Sequence, residues 1–305
     1  MRVCILPTQE QMGDAPHGIG QVVHAQYERL PKYDIELVTS PDKAEVVVSH
    51  VHGRGLARLD VLHCHGLYWA DIPHIEYRNW HMEANQEIAE AVRNSLLVTV
   101  PSPWVSRVFQ RDMRFTPRII GHGINLVDWM VHNRQSSYIL WNKNRNTDVC
   151  DAFPALFLAR RGIQVKSTFP PVGGFTPYNP QDQNPRGEKD LPPNFQVTGT
   201  MTHAKMKALI EAAGVYLATT PETFGIGTLE AMGAGIPILC YKWAGTADLV
   251  TSGVHGYLAA PGDLVDLTAG YHWIMEHRSQ LSANARARAS EYDWGSIMPA
   301  YARLY

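Results

Sequence analysis

The run Thr220-Pro221-Glu222-Thr223-Phe224-Gly225-Ile226-Gly227-Thr228-Leu229-Glu230-Ala231-Met232-Gly233-Ala234-Gly235-Ile236-Pro237-Ile238 decides how this chain folds. A short apolar strand at residues 215–218 leads into it, and a second apolar stretch at 236–240 leaves it. Between them the spacing predicts a loop holding Gly225 and Gly227, then a helix that starts near Thr228. Strand, loop, helix and strand in this order make a parallel βαβ unit. The glycines let backbone approach a ligand with no Cβ in the way. The first amides of the helix point into the loop, and with the helix dipole they suit an anion such as a diphosphate. Glu222 precedes the loop and Glu230 lies inside the helix, so two carboxylates bracket this cradle. A carboxylate repels a diphosphate. Both acids make sense as acceptors of hydrogen bonds from hydroxyls, one set on a sugar and one on a ribose.

Outward from this unit the same alternation continues. In the first half, apolar runs at residues 3–6, 35–39, 45–49, 60–63 and 96–100 read as strands, with amphipathic helices at 19–30 and 84–93 between them. A strand and turn at 117–128 close that half. The second half adds strands at 138–141, 163–168, 196–198, 214–218, 236–240 and 256–258. It also holds a helix at 204–213 with Thr202 as its N-cap. The fold class is therefore α/β, with two Rossmann-like doubly wound sheets in series. Residues 1–133 form one domain and 134–305 the other. The Pro-, Gly- and Asn-rich stretch 169–193 reads as a solvated connection, the competing reading being a lid or acceptor loop.

Composition narrows the function classes. The chain has 305 residues, 45% hydrophobic and 18% charged, enough for two packed cores. A net charge of −2 gives no large basic face for nucleic acid. No apolar run nears the roughly 20 residues that span a bilayer. Cys4, Cys64, Cys150 and Cys240 are far apart with no Cys-x-x-Cys pair, which fits a reducing cytoplasm. Two His-x-His pairs, His50/His52 and His63/His65, would each share one face of a strand. No cysteine or acid nearby completes a zinc set, so no metal is assigned. The arginines 107, 111, 114 and 118, with Phe109 and Phe115, read as a solvated helix face or a contact for membrane or nucleic-acid phosphates. In the first half, His17-Gly18-Ile19-Gly20 opens a helix after the first strand, with no third glycine to complete a dinucleotide fingerprint.

The paired glutamates, the Phe-Gly-Ile-Gly loop and the following Ala-Met-Gly-Ala-Gly-Ile-Pro closely resemble the signature of family-four retaining glycosyltransferases, the glycosyl transferases group 1. Ala244-Gly245-Thr246-Ala247-Asp248, Gly256-Tyr257-Leu258 and Pro261-Gly262-Asp263 continue the likeness. It is strong over residues 197–267 and weaker at Pro101-Ser102-Pro103-Trp104 and at 121–125. The resemblance implies a GT-B fold, two Rossmann-like domains facing a central cleft. The first domain would serve the acceptor, the second would bind the nucleotide sugar, and the final helix, about 292–305, would pack back on the first domain. It implies Glu222 on the donor sugar's hydroxyls and Glu230 on its ribose. Phe224, Gly225, Ile226, Gly227, Thr228 and Leu229 would meet the sugar and phosphates, with Thr200, Met201, Gly18 and Gly20 at the donor. His65 corresponds to the family's strand-end histidine beside the sugar, His52 being the competing candidate. The family's Arg and Lys of the second domain are replaced here by Trp141-Asn142-Lys143-Asn144-Arg145. Lys143 stands in the arginine's place and Arg145 is the second cation, with the division of labour between them open.

Glycosyl transfer passes through an oxocarbenium-like state while a diphosphate leaves, so the site must stabilise negative charge on the leaving group. Lys143, Arg145 and the helix start suit that task. The sequence contains no Asp-x-Asp pair of the kind that holds a metal. The resemblance thus implies a metal-independent transfer with retention, needing no cofactor beyond the nucleotide sugar as co-substrate, a UDP-sugar favoured. The acceptor, whether lipid, glycan, small molecule, protein or hydroxymethylated DNA base, is open. Two other classes compete. An epimerase on the same fold would convert donor without acceptor, and a binding module would keep its function after Glu222→Ala.

Overall fold

The computed structural model describes residues 1–12, 18–50, 52–53, 55–68, 79–132, 136–142, 150–168, 191–199 and 201–305. It divides into two compact units. The described residues of Met1–Trp69, Arg78–Ile124 and Tyr292–Tyr305 form the first, and those of Asn125–Glu291 the second.

The first unit begins with β1 (Arg2–Leu6), a short helical turn α1 (Gln9–Met12) and α2 (Gly18–Arg29). It continues through β2 (Glu36–Leu37), β3 (Val46–Ser49), β4 (Leu59–His63), α3 (Asn79–Asn94), β5 (Ser95–Val100), α4 (Pro103–Met113) and β6 (Arg118–Ile119). Its strands run in the order β2-β1-β3-β4-β5-β6, all parallel. Val3, Cys4 and Ile5 are all fully buried. Such an unbroken apolar run belongs to a parallel strand covered on both faces, where alternation would leave polar groups sealed in. α4 shows how local sequence sets a boundary. Ser102 caps it, its hydroxyl accepting from the Val105 amide at 3.2 Å, and Pro103 occupies the first turn. Arg114 then ends it in the left-handed region at φ 54. Arg107, Arg111, Arg114 and Arg118 are exposed, but Phe109 is fully buried in the core, so it takes no part in their surface.

The second unit runs β7 (Ile139–Trp141), α5 (Phe153–Arg160), β8 (Val165–Ser167), β9 (Phe195–Val197), α6 (His203–Glu211) and β10 (Val215–Ala218). It ends with α7 (Ile226–Gly233), β11 (Ile238–Tyr241), α8 (Ala244–Leu249), β12 (Gly256–Ala259) and the long α9 (Leu264–Ser290). Its parallel sheet has the order β9-β8-β7-β10-β11-β12. Every residue of β10 and β11 is buried. Thr202 caps α6, accepting from the Lys205 amide at 3.4 Å. Asp263 caps α9, accepting from the amides of Val265 and Asp266, each at 2.9 Å. Arg286 of α9 donates to the carbonyls of Trp129 and Gly233, which satisfies the carboxyl end of α7.

The chain then returns to the first unit as α10 (Trp294–Ala302). The Trp294 amide donates to the Ile124 carbonyl at 3.0 Å, and the Trp294 ring lies over Gly123 so closely that a Cβ there would sit 2.6 Å from Cδ2. All four cysteines are buried and free. Burial pushes the thiols of Cys64 and Cys240 up to about 12. Among the described residues no helix is long and apolar enough to cross a membrane.

Candidate functional site

In the second unit the strand order reverses between β7 and β10, which pair through Ile139↔Val215 and Leu140↔Tyr216. An open α/β sheet binds ligands outside the carboxyl ends of its strands at such a reversal. Here those ends are Trp141-Asn142 and Ala218-Thr219, and the second continues directly into the loop of Glu222. The Glu222 amide donates to the Thr220 carbonyl, and the Gly245 amide donates to the Glu222 carbonyl, each at 2.8 Å. The start of α8 thus pins the peptide of Glu222, whose side chain remains half-buried.

Gly225 turns the chain into α7. It is the N-cap, left-handed at φ 96 and ψ 62, where a side chain would be strained, and no side chain caps the helix. A Cβ at Gly225 would also sit 2.8 Å from Thr246 Oγ1. The helix starts at Ile226, two residues earlier than the sequence predicts, because a left-handed Gly225 takes the capping place. Leu229 is the first residue whose amide returns to the cap, donating to the Gly225 carbonyl at 3.0 Å. The amides of residues 226–228 come before any such partner, which is the donor set of an anion site. Gly227 has no space for a side chain, since a Cβ would lie 2.5 Å from Tyr216 Oη. The hydroxyls of Thr219, Thr220 and Thr246 and the indole nitrogens of Trp141 and Trp243 are buried without partners among the described residues. Buried polar groups are rarely left unpaired, so their gathering along one sheet edge sets this edge apart.

The first unit holds a second concentration of polar side chains. His50 follows β3, His63 ends β4, His65 lies two residues beyond, and His122 follows β6. Ring centroids are 4.7 Å apart for His50 and His63, 5.4 Å for His50 and His65, and 5.0 Å for His65 and His122. His50 Nδ1 is 3.2 Å from His65 Nε2, and His50 Nε2 is 2.7 Å from Gln26 Oε1. His63 bridges Thr99 Oγ1 at 2.6 Å and Tyr305 Oη at 2.8 Å, and His122 Nδ1 is 3.3 Å from Tyr301 Oη. Burial lowers His63 to about 3 and His65 to about 4. Burial, with the neighbouring imidazoles, holds His50 and His122 well below the usual histidine range. All four rings are neutral at neutral pH.

The expected site residues therefore fall into three groups. Glu222, Phe224, Gly225, Ile226, Gly227, Thr228, Leu229 and Glu230 share one loop and helix start, and Met201 lies half-buried just before the cap of α6. Gly18 and Gly20 open α2 and His65 follows β4, all in the first unit. Lys143, Arg145 and Thr200 lie outside the described residues, as does 169–190 of the 169–193 stretch. The His-x-His pairs do not ride on strands: β3 ends at Ser49 and β4 at His63. Grouping runs across neighbouring strands instead, a pattern that spacing along the chain does not reveal. Among the described residues no set of three or more His, Cys, Asp or Glu forms a metal site.

Residues 175–292 match the family of glycosyl transferases group 1. A glycogen synthase of Mycobacterium tuberculosis is 30% identical over 112 residues, covering 35% of this chain and 27% of that protein, so the chain matches only about a quarter of the relative's length. Among solved structures, sucrose-phosphate synthase from Thermosynechococcus elongatus superposes with a TM-score of 0.75 at 16% identity, covering 100% of this chain and 98% of that one. Anabaena HepE, in complex with UDP and glucose, gives 0.73 at 15% identity over 99% and 98% of the two chains. At these identities the likeness to solved structures establishes the fold.

Proposed function

We propose that this chain, whose residues 175–292 match the glycosyl transferases group 1 family, transfers a sugar from a nucleotide-diphosphate sugar to an acceptor hydroxyl, with retention and without a metal. A UDP-sugar is the favoured donor, in keeping with the UDP and glucose held by HepE. The observation that carries the reading is the left-handed Gly225 turning β10 into α7 beside the strand-order reversal. It leaves the amides of residues 226–228 for a diphosphate.

In this reading Glu222 accepts hydrogen bonds from the transferred sugar and Glu230 from the ribose. Phe224 and Leu229 belong to the loop and helix start that hold the donor, with Thr200 and Met201 nearby. Lys143 and Arg145 neutralise the departing diphosphate, a task the α7 dipole shares. His65 contacts the transferred sugar, and Gly18 and Gly20 let backbone approach it. The acceptor hydroxyl attacks the anomeric carbon on the face the diphosphate leaves, and the leaving group takes up the hydroxyl's proton. Metal independence rests on the absence of an Asp-x-Asp pair from the sequence and on protein cations filling the metal's place.

Calorimetry with UDP-, GDP- and ADP-sugars in the presence of a chelator tests the donor and the metal independence together. Glu230→Ala should weaken binding of the nucleotide, by about 1–3 kcal/mol for lost charge-assisted hydrogen bonds. Glu222→Ala should bind UDP normally and lose turnover. Unchanged transfer in both variants rules out this site.

A further inference from the structure

His65 is half-buried, and its Nε2 is committed to His50. What His50 does with its own second nitrogen then decides which nitrogen of His65 holds the proton. His50 Nε2 faces Gln26 Oε1, an acceptor, at 2.7 Å, and Gln26 Nε2 donates to Tyr305 Oη at 3.2 Å. Gln26 is fully buried and His50 is 1% exposed, so water does not compete for these bonds. A carbonyl oxygen facing His50 Nε2 requires that nitrogen to carry hydrogen. The neutral ring then has a bare lone pair at Nδ1, and His65 Nε2 must donate to it. The same polarity continues at the other end. Tyr305 accepts from Gln26 and so donates to His63 Nε2, which leaves His63 Nδ1–H to donate to Thr99 Oγ1 at 2.6 Å. Each donor in the chain meets an acceptor.

From this geometry we infer that Gln26 and His50 are positioning residues that lock His65 as its Nε2–H tautomer, so that Nδ1 of His65 offers a fixed lone pair to a hydroxyl of the bound sugar. Nδ1 of His65 has no hydrogen-bond partner among the described residues and is not sealed from solvent. An imidazole held in one tautomer by buried partners meets a ligand with its acceptor already oriented. The ring is also neutral, since burial keeps it uncharged down to about pH 4, so it acts as a hydroxyl acceptor and not as a cation for phosphate. The lock stands on the contacts of the first unit alone. Its use by a sugar hydroxyl rests on the reading of His65 as a sugar contact.

Long-range proton–nitrogen NMR of the full chain with labelled histidine reads the lock directly, with no ligand present. The expected spectrum has protonated Nε2 and bare Nδ1 at both His50 and His65. Protonated Nδ1 on His65 overturns the proposal. Gln26→Met should turn His65 into a tautomer mixture and lower kcat with UDP-glucose about tenfold, the effect of roughly one hydrogen bond, while UDP alone binds as before. Gln26→Glu, which still accepts from His50 Nε2, should recover turnover above the Met variant. A wire of reversed polarity would need a donor at residue 26 and would show no such recovery. Unaltered His65 signals in Gln26→Met would also overturn the lock. Should Gln26→Met fail to fold, Tyr305→Phe removes only the distal hydroxyl, and a His65 tautomer mixture is expected there too. His65→Ala separates the two claims: normal sugar binding and turnover in that variant would remove the sugar contact, whatever the NMR reports of the lock.

Discussion

Gly227 has no room for a methyl group. Its would-be Cβ falls 2.5 Å from Tyr216 Oη, and that oxygen belongs to a β10 side chain that is 3% exposed and has little freedom to withdraw. Gly227→Ala should therefore cost about 1–3 kcal/mol of stability, the usual penalty of overpacking. It should also weaken UDP binding, because the strain falls on the amides offered to the phosphates. Shortening the neighbour is the control. Tyr216→Phe in the same chain should restore a large part of the denaturation midpoint, measured with urea. If the double variant is no more stable than Gly227→Ala, the clash is not the cause.

Among the helices, capping and not propensity sets the limits of α9. It spans 27 residues and its amino end rests on Asp263, whose carboxylate accepts two amides. Asp263→Ala should lower stability by about 1 kcal/mol, and Asp263→Asn, which still accepts, by much less. Denaturation curves of the two variants decide this, and equal losses would contradict a capping role. At its far end the same helix carries Arg286 to the carboxyl end of α7, so the element that presents its amides to the site is tied at its other end. α7 itself has only eight residues, too few to be stable alone, and it depends on this packing.

At the largest scale, the buried histidines of the first unit give the folded chain an acid sensitivity. These histidines are protonated near pH 6.5 when the chain is unfolded. When it is folded, burial lowers His63 to about 3 and His65 to about 4 and keeps His50 and His122 low as well. Between these pH values the unfolded chain binds more protons, so stability falls as the pH drops from about 6.5 toward 4. At pH 5 each of His63 and His65 should cost the fold about 2 kcal/mol. The groups facing these rings are Gln26, Thr99, Tyr301 and Tyr305, none of them acidic enough to offset that loss. Thermal melts at pH 7 and pH 5 should show a clear fall in Tm, and a flat response would mean that the rings take up protons in the folded state.

The sequence alone determined the alternation of strands and helices, the cap at Thr202 and the glycine bend before α7. Each of these is local: an apolar run, a hydroxyl one residue before a helix, or a glycine where the backbone turns. Local rules reached α7 but placed its start two residues late, near Thr228, because the left-handed turn and the close approach of Thr246 that select Gly225 as the cap belong to the folded structure. Only the tertiary structure decided the histidine cluster. Residues 26, 50, 63, 65, 122, 301 and 305 come from α2, from three strand ends and from the returning terminal segment, and nothing in their spacing joins them. Strand order, set by which apolar faces bury each other, placed β3 beside β4 and so put His50 against His65. The same packing fixed which nitrogen of His65 holds its proton, because tautomers follow from the partner across the hydrogen bond and not from neighbours along the chain.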